Sequence, residues 1–182
     1  MMVTGIILAG GKSSRMGSDK AFLHWNGKPF IQHVIDAAQP VCRSLILSGD
    51  QPELREYGFS VTEDLRKSEG PVTALASCFR QVKTDAALVL SCDVPTIRTD
   101  DIKRLLAHHV PENDATLYTF QNRQMPLVAV YNKSSFSVFE DAFQHHRQKL
   151  FNVLDRLKIM EVDFKGSRGL YNINTKKDLA EL

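Results

Sequence analysis

The chain has 182 residues and a mass of 20.5 kDa, the length of one domain, and it is long enough to bury roughly 70% of the surface its unfolded form exposes. Apolar residues make up 43% and charged residues 24%, with a mean hydropathy of −0.22, which excludes disordered, collagen-like and coiled-coil chains. Twenty-three basic side chains face 21 acidic ones, a formal charge of +2, too even a balance for a surface built to coat DNA or RNA.

Three short apolar runs are bounded by polar or glycine turns: Val3–Leu8, Ser44–Leu47 and Ala86–Leu90. Each is nearly continuous rather than alternating, the pattern of parallel strands covered on both faces. Phe59–Thr62 is a further strand-like segment. Between these runs, Phe30–Ala38 and Val72–Val82 place apolar residues at helical spacing, with Pro71 suited to a first turn. Thr99–His109 reads as a helix with Thr99 as its N-cap and two aspartates in its first turn. Alternation of strand and helix over the first 110 residues predicts βαβ units with right-handed crossovers.

The pattern then changes. Ala115–Phe120 and Leu127–Tyr131 are strand-like around the turn Gln121-Asn122-Arg123, which predicts an antiparallel hairpin. Helical stretches follow at Ser134–His146 and Leu150–Leu157. Lys158–Phe164 and Gly169–Ile173 look like late strands, and Thr175 is placed to cap a helix reaching Leu182. No repeat, low-complexity stretch or linker interrupts the chain, so one mixed α/β domain with an irregular C-terminal third is expected.

Cys42, Cys78 and Cys92 form no CxxC and leave an odd count, which fits reduced thiols. The amino terminus lacks the basic start and length of a signal peptide, and no run approaches the ~20 apolar residues of a spanning helix. A soluble, cytoplasmic protein is expected. Adjacent histidines, His108-His109 and His145-His146, diverge by about 100° on a helix, so neither pair chelates a metal from one face.

Chemistry concentrates after the first strand, in Leu8-Ala9-Gly10-Gly11-Lys12-Ser13-Ser14-Arg15-Met16-Gly17-Ser18-Asp19-Lys20. Its glycines permit positive φ and close ligand approach, its serines donate hydroxyls, Arg15 can fork onto phosphate oxygens and Lys20 supplies a point charge. Lys12, Arg15, Lys20 and Lys28 face Asp19 alone among the acids of residues 1–35, so the positive excess of the chain sits here. A polyphosphate is the expected guest, although a glycine-rich surface turn shares this composition. Neither GxxxxGK[ST] nor GxGxxG is present. Asp93 directly follows the third apolar run, where a carboxylate can hold Mg²⁺ against triphosphate oxygens, or simply cap a turn. Asp64 follows another strand-like run, and Gly70-Pro71 opens a helix whose N-terminus suits an anion. Asn172 and Asn174 share one face if their segment is extended, for substrate contact or for capping the last helix.

The segment LAGGKSSRMGSDKA, followed by NGKPF, resembles the signature of the molybdenum cofactor guanylyltransferase family, within the nucleotidyltransferases that share a LAxGxxxRM…K loop. Further similarities run in family order: Thr62-Glu63-Asp64, Glu69-Gly70-Pro71, Ser91-Cys92-Asp93-Val94-Pro95 and Asn172-Ile173-Asn174-Thr175. Two positions depart from it. Ser48 stands where some members carry asparagine, and Val72-Thr73-Ala74 replaces the LAG of GPLAG.

The resemblance implies a single-domain, three-layer αβα, Rossmann-like nucleotidyltransferase fold. Its sheet would be mostly parallel, with an antiparallel hairpin in the C-terminal third, and residues 1–110 would bind nucleotide while residues 111–182 bind acceptor. The implied reaction transfers GMP from GTP to the terminal phosphate of molybdopterin, releasing pyrophosphate and forming molybdopterin guanine dinucleotide. A cytidylyltransferase acting on the same pterin and a non-catalytic carrier of the same fold are the alternatives. Arg15, Lys20 and Asp93 are the implied catalytic residues, with Mg²⁺ as cofactor on Asp93. Leu8, Ala9, Gly10, Gly11, Lys20, Asp64 and Asp93 are the implied nucleotide-binding residues, and Gly70, Pro71, Asn172 and Asn174 the implied substrate-binding ones. Arg123, Lys149, Arg156, Lys165 and Arg168 supply loosely placed positive charge for the acceptor. No nucleic acid or membrane is an expected partner; transient contact with other cofactor-biosynthesis proteins or acceptor apoenzymes is.

Overall fold

The structure, a computed structural model, describes residues 2–10, 19–65, 70–147, 149–166, 169–173 and 178. In chain order its strands and helices are β1 (Val3–Leu8), β2 (His24–Trp25), β3 (Lys28–Pro29), α1 (Phe30–Ala38), β4 (Cys42–Ser48), β5 (Ser60–Thr62) and α2 (Pro71–Phe79). They continue with β6 (Ala86–Ser91), α3 (Thr99–His108), β7 (Ala115–Phe120), β8 (Arg123–Asn132), α4 (Lys133–Gln144), α5 (Leu150–Leu154) and β9 (Ile159–Asp163).

Seven strands form one sheet in the order β5-β4-β1-β6-β8-β7-β9, in which only β8 runs against the rest. The expected mixed α/β architecture is therefore present. Its helices cover both faces because successive side chains of the central strands point to opposite sides. Ile7 of β1, Leu45 and Leu47 of β4 and Leu88 and Leu90 of β6 pack with the α1 and α3 layer. Ile6, Ile46, Ala87 and Val89 pack with α2, α4 and α5. Two apolar layers on one sheet explain why these strands read as unbroken apolar runs.

The boundaries differ from expectation in instructive places. Arg98, not Thr99, occupies the N-cap of α3: its backbone N–H donates to Asp101 Oδ2 at 3.1 Å. The Thr99 hydroxyl is taken by the Ala37 carbonyl of α1, 3.0 Å away, so helix–helix packing overrides the local cap. A small hairpin, β2–β3, turns through Asn26 and Gly27, both at positive φ, a turn that the Asn-Gly pair favours. The β7–β8 turn is Gln121-Asn122 alone, with Arg123 already in the strand. Gly169–Ile173 forms no strand; β9 already holds the place beside β7. The expected terminal helix from Thr175 lies outside the described residues, apart from position 178.

His109 is buried, with one ring nitrogen against Thr116 Oγ1 at 2.9 Å and the other against Asn132 Oδ1 at 3.0 Å. Among the described residues, no group of three or more His, Cys, Asp or Glu could hold a metal ion, and no helix is long and apolar enough to cross a membrane.

Candidate active site

β1 has β4 on one side and β6 on the other, so the chain reverses its direction of travel across the sheet at β1. In open α/β sheets, the carboxyl ends of strands at such a reversal enclose the ligand crevice. Leu8 pairs with Ser48 on one flank and Ser91 on the other, which brings three strand ends to one place.

The backbone here is closely tied. The amides of Ala9 and Gly10 both donate to the Ser48 carbonyl, at 2.8 and 3.0 Å, and the Cys92 amide donates to the Leu8 carbonyl at 3.0 Å. The Ala9 and Gly10 amides are thus spent inside the protein. What the pair can offer a guest is its carbonyl oxygens. Gly10 is exposed and Pro71 half-buried, whereas Leu8 and Ala9 are buried.

Gly49 matters as much, although it belongs to no motif in the sequence. A Cβ there would lie 2.4 Å from Gln51 Oε1, 2.8 Å from Leu54 Cδ1 and 3.4 Å from the Gly10 nitrogen. The Gly49 amide itself donates to the Thr62 carbonyl of β5 at 3.1 Å. Only a residue without a side chain lets the β4 exit loop lie this close to the β1 exit loop. A glycine directly after an apolar strand was the available signal.

Asp19 caps a single 3-10 turn, Lys20–Phe22, by accepting from the Ala21 amide at 3.3 Å. Its other oxygen accepts from the Gln51 side-chain amide. These contacts aim Lys20 across the crevice, where Lys20 Nζ reaches Asp93 Oδ2 at 3.5 Å with both side chains less than one-fifth exposed. The second oxygen, Asp93 Oδ1, is buried and has no hydrogen-bond partner among the described residues. A buried carboxylate oxygen left unpaired is costly unless something else arrives to meet it. The donor set therefore fits a hard cation, which one carboxylate plus phosphate oxygens can hold.

Across the crevice mouth, Ser48 Oγ donates to Asp64 Oδ1 at 3.5 Å. Burial pushes the Asp64 carboxyl above the usual aspartate range; nearby Asp50 adds to this and the Ser48 hydroxyl partly offsets it. Gly70, at φ +90°, adopts a conformation that favours glycine, and Pro71 begins α2. Ala74 is buried in the layer beneath, where its amide bonds back to the Gly70 carbonyl. On the far side, the Ile173 amide donates to the Asp93 carbonyl at 2.9 Å, which brings exposed Asn172 beside the same loop.

Leu8, Ala9, Gly10, Lys20, Asp64, Asp93 and Asn172 thus gather around one set of strand ends. Gly11, Arg15 and Asn174 lie outside the described residues, as does Arg168. Of the dispersed basic residues, Arg156 is engaged by Asp141 at 2.6 Å, and Arg123 sits exposed beside the hairpin tip.

Residues 5–160 match the MobA-like NTP transferase domain family. A protein of Clostridium perfringens named "Probable molybdenum cofactor guanylyltransferase" is 33% identical, over 97% of this chain and 93% of its own. One of the same name from Flavobacterium johnsoniae is 29% identical, over 99% and 96%. Among solved structures, molybdopterin-guanine dinucleotide biosynthesis protein A of Archaeoglobus fulgidus is similar in fold, with a TM-score of 0.79 at 22% identity, covering 98% of this chain and 96% of that one.

Proposed function

This chain belongs to the MobA-like NTP transferase domain family, and from that premise we infer that it is a molybdenum cofactor guanylyltransferase. It transfers GMP from GTP to the terminal phosphate of molybdopterin. The observation that carries the reading is the Lys20–Asp93 pair, with one Asp93 oxygen buried and unpartnered, at the strand ends where a triphosphate would lie.

The chemistry asks little covalent work of the protein. An oxygen of the acceptor phosphate, already ionised at neutral pH, forms a bond to the α-phosphorus of GTP. The bond between the α-phosphorus and its bridging oxygen breaks, and that oxygen leaves with the electron pair as pyrophosphate. What remains is positioning and neutralisation of charge. Lys20, and Arg15 in our reading, stabilise the departing pyrophosphate. Family members generally use a divalent metal; we assign Mg²⁺, held by Asp93, to neutralise phosphate oxygens when bound.

Guanine presents donors at N1 and N2 and an acceptor at O6. Carbonyl oxygens at Ala9 and Gly10 and the carboxylate of Asp64 match its donors, so we assign the base to Leu8–Gly11 and Asp64. A pocket built this way leaves polar groups unpaired when another base enters, which discriminates strongly. Residues 1–110 form the nucleotide side in this scheme. Residues 111–182, with Gly70-Pro71, Asn172 and Asn174 at the boundary, form the acceptor side. Three free thiols are consistent with our assignment to the cytoplasm; transient contact with other cofactor-biosynthesis proteins or acceptor apoenzymes is part of the same proposal.

The test is a nucleotide panel. With molybdopterin and MgCl₂, GTP should yield the guanine dinucleotide and pyrophosphate, and CTP, ATP and UTP should be poor donors. Equal or better use of CTP would make the enzyme a cytidylyltransferase. Nucleotide binding with no pyrophosphate from any donor would make it a carrier.

A further inference from the structure

The acceptor side of the crevice carries an aromatic surface that the catalytic scheme leaves unused. Among the described residues, Tyr171 is one of a few large apolar side chains left exposed, at 48%. Its ring is nevertheless held firmly. It meets Phe120 edge to face, with centroids 4.9 Å apart and planes at 88°. Phe120 meets Phe164 in the same way, at 6.0 Å and 86°, and Phe164 meets Tyr118 at 5.0 Å and 87°. The buried Tyr118 hydroxyl anchors the series by donating to the Asp101 carbonyl at 2.7 Å. Four rings thus run from the core to the surface, and each fixes the plane of the next.

Gly169 makes room for the outermost pair. It has φ +70°, and a Cβ there would lie 2.4 Å from Tyr171 Cε2 and 2.9 Å from Phe120 Cζ. Both ends of the segment that carries Tyr171 are pinned to the loop after β6. Thr96 Oγ1 donates to the Gly169 carbonyl at 3.0 Å, and the Ile173 amide donates to the Asp93 carbonyl at 2.9 Å. Two residues of extended chain span at most about 7 Å. The Tyr171 backbone is therefore a short step from the hydrogen bond that ties Ile173 to the backbone of Asp93, the residue assigned to the reacting phosphates.

We propose that Tyr171, held by Phe120 and Gly169, is the stacking surface for the planar pterin ring of the acceptor. The proposal rests on the guanylyltransferase reading for the identity of that acceptor. A fused, nitrogen-rich ring system gains from the face of an aromatic side chain, and a rigid ring loses little entropy in providing it. Molybdopterin joins such a ring system to its terminal phosphate through a short connection. A fixed ring on a segment tied to the Asp93 backbone holds the acceptor so that its phosphate reaches the α-phosphorus.

Two measurements test this. Tyr171→Ala and Tyr171→Leu should each raise the KM for molybdopterin about tenfold, leaving the KM for GTP within twofold of wild type, while Tyr171→Phe retains wild-type values. Tyr171→Leu keeps apolar contact with Phe120, so it guards against loss of fold in the alanine variant. Independently of turnover, Tyr171→Trp should show emission quenched by pterin-6-carboxylate well beyond that of wild type, whose only tryptophan is Trp25. Unchanged acceptor KM in the alanine and leucine variants, or a parallel rise in the KM for GTP, overturns the assignment, as does the absence of added quenching. A wild-type enzyme that makes no guanine dinucleotide would instead overturn the guanylyltransferase reading, while the quenching would still report whether Tyr171 meets a pterin.

Discussion

Gly10 and Gly49 meet backbone to backbone at the mouth of the crevice: a Cβ on Gly10 would lie 3.6 Å from the Gly49 Cα, and one on Gly49 would lie 3.4 Å from the Gly10 nitrogen. The Ser48 carbonyl, which accepts from the Ala9 and Gly10 amides, draws the two loops together. The consequences of filling the two positions are unequal.

Gly49→Ala should be destabilising. Its Cβ would press on Gln51 Oε1 at 2.4 Å and on Leu54 Cδ1 at 2.8 Å, and Leu54 is fully buried. Gln51 can swing aside only by releasing Asp19, which caps the turn carrying Lys20. Overpacking of this kind costs about 1–3 kcal/mol, a fall in Tm of roughly 3–10 °C for a chain of this size. Gly10→Ala meets only ordinary contacts, so its Tm should stay near wild type and its effect should appear in the KM for GTP. Thermal melts and donor kinetics on the two variants separate these outcomes. Equal melting temperatures for both variants would contradict the packing argument.

Asp93→Asn preserves shape and removes the charge that Lys20 faces. Turnover should fall at least about 100-fold with little change in Tm, because a partly exposed carboxylate at a strand end is exchanged for its near-isostere. Lys20→Ala should weaken GTP binding by about 1.5–3 kcal/mol, the worth of a charge-assisted contact. Calorimetric titration with GTP–Mg²⁺ measures the second effect and steady-state rates the first. Wild-type affinity in Lys20→Ala together with wild-type turnover in Asp93→Asn would remove both residues from the chemistry.

Asp64 yields a pH signature. Burial raises its carboxyl above the ordinary 3.8, so the folded state holds the proton more tightly than the unfolded state. The sign follows: ionising Asp64 costs nothing below the unfolded pKa, and the cost grows as pH rises through the folded pKa, becoming complete above it. Asp64→Asn removes that cost while its side-chain oxygen can still accept from Ser48. The variant should melt above wild type near pH 7, and the difference should close as pH falls toward about 4. Its affinity for GTP should drop, since Asp64 is assigned to guanine. A constant difference in Tm across the range would show that desolvation of the carboxylate is not its source.

The central strands β1, β4 and β6 were legible because burial on both faces leaves a continuous apolar run, and α1 because one apolar stripe repeats at helical spacing. Lys20 and Asp93 stood out as candidates because a lysine and an aspartate follow soon after apolar runs, and the structure brings the two side chains together at the strand ends. Tertiary structure decided what depended on neighbours distant in sequence. The Thr99 hydroxyl goes to Ala37 of another helix, so Arg98 takes the cap. The Ala9 and Gly10 amides both go to the Ser48 carbonyl, about forty residues away in sequence, so the glycine-permitted backbone at this strand end is tied to its neighbour strand. The Gly169–Ile173 segment has strand-like composition, but β9 occupies the edge of β7, so the segment is tied instead to the loop after β6, Gly169 by Thr96 and Ile173 by the Asp93 carbonyl. Composition and period record how much of a side chain is buried and on which face. They do not record which hydrogen-bond partner arrives, because a partner forty or eighty residues away leaves no mark on local spacing.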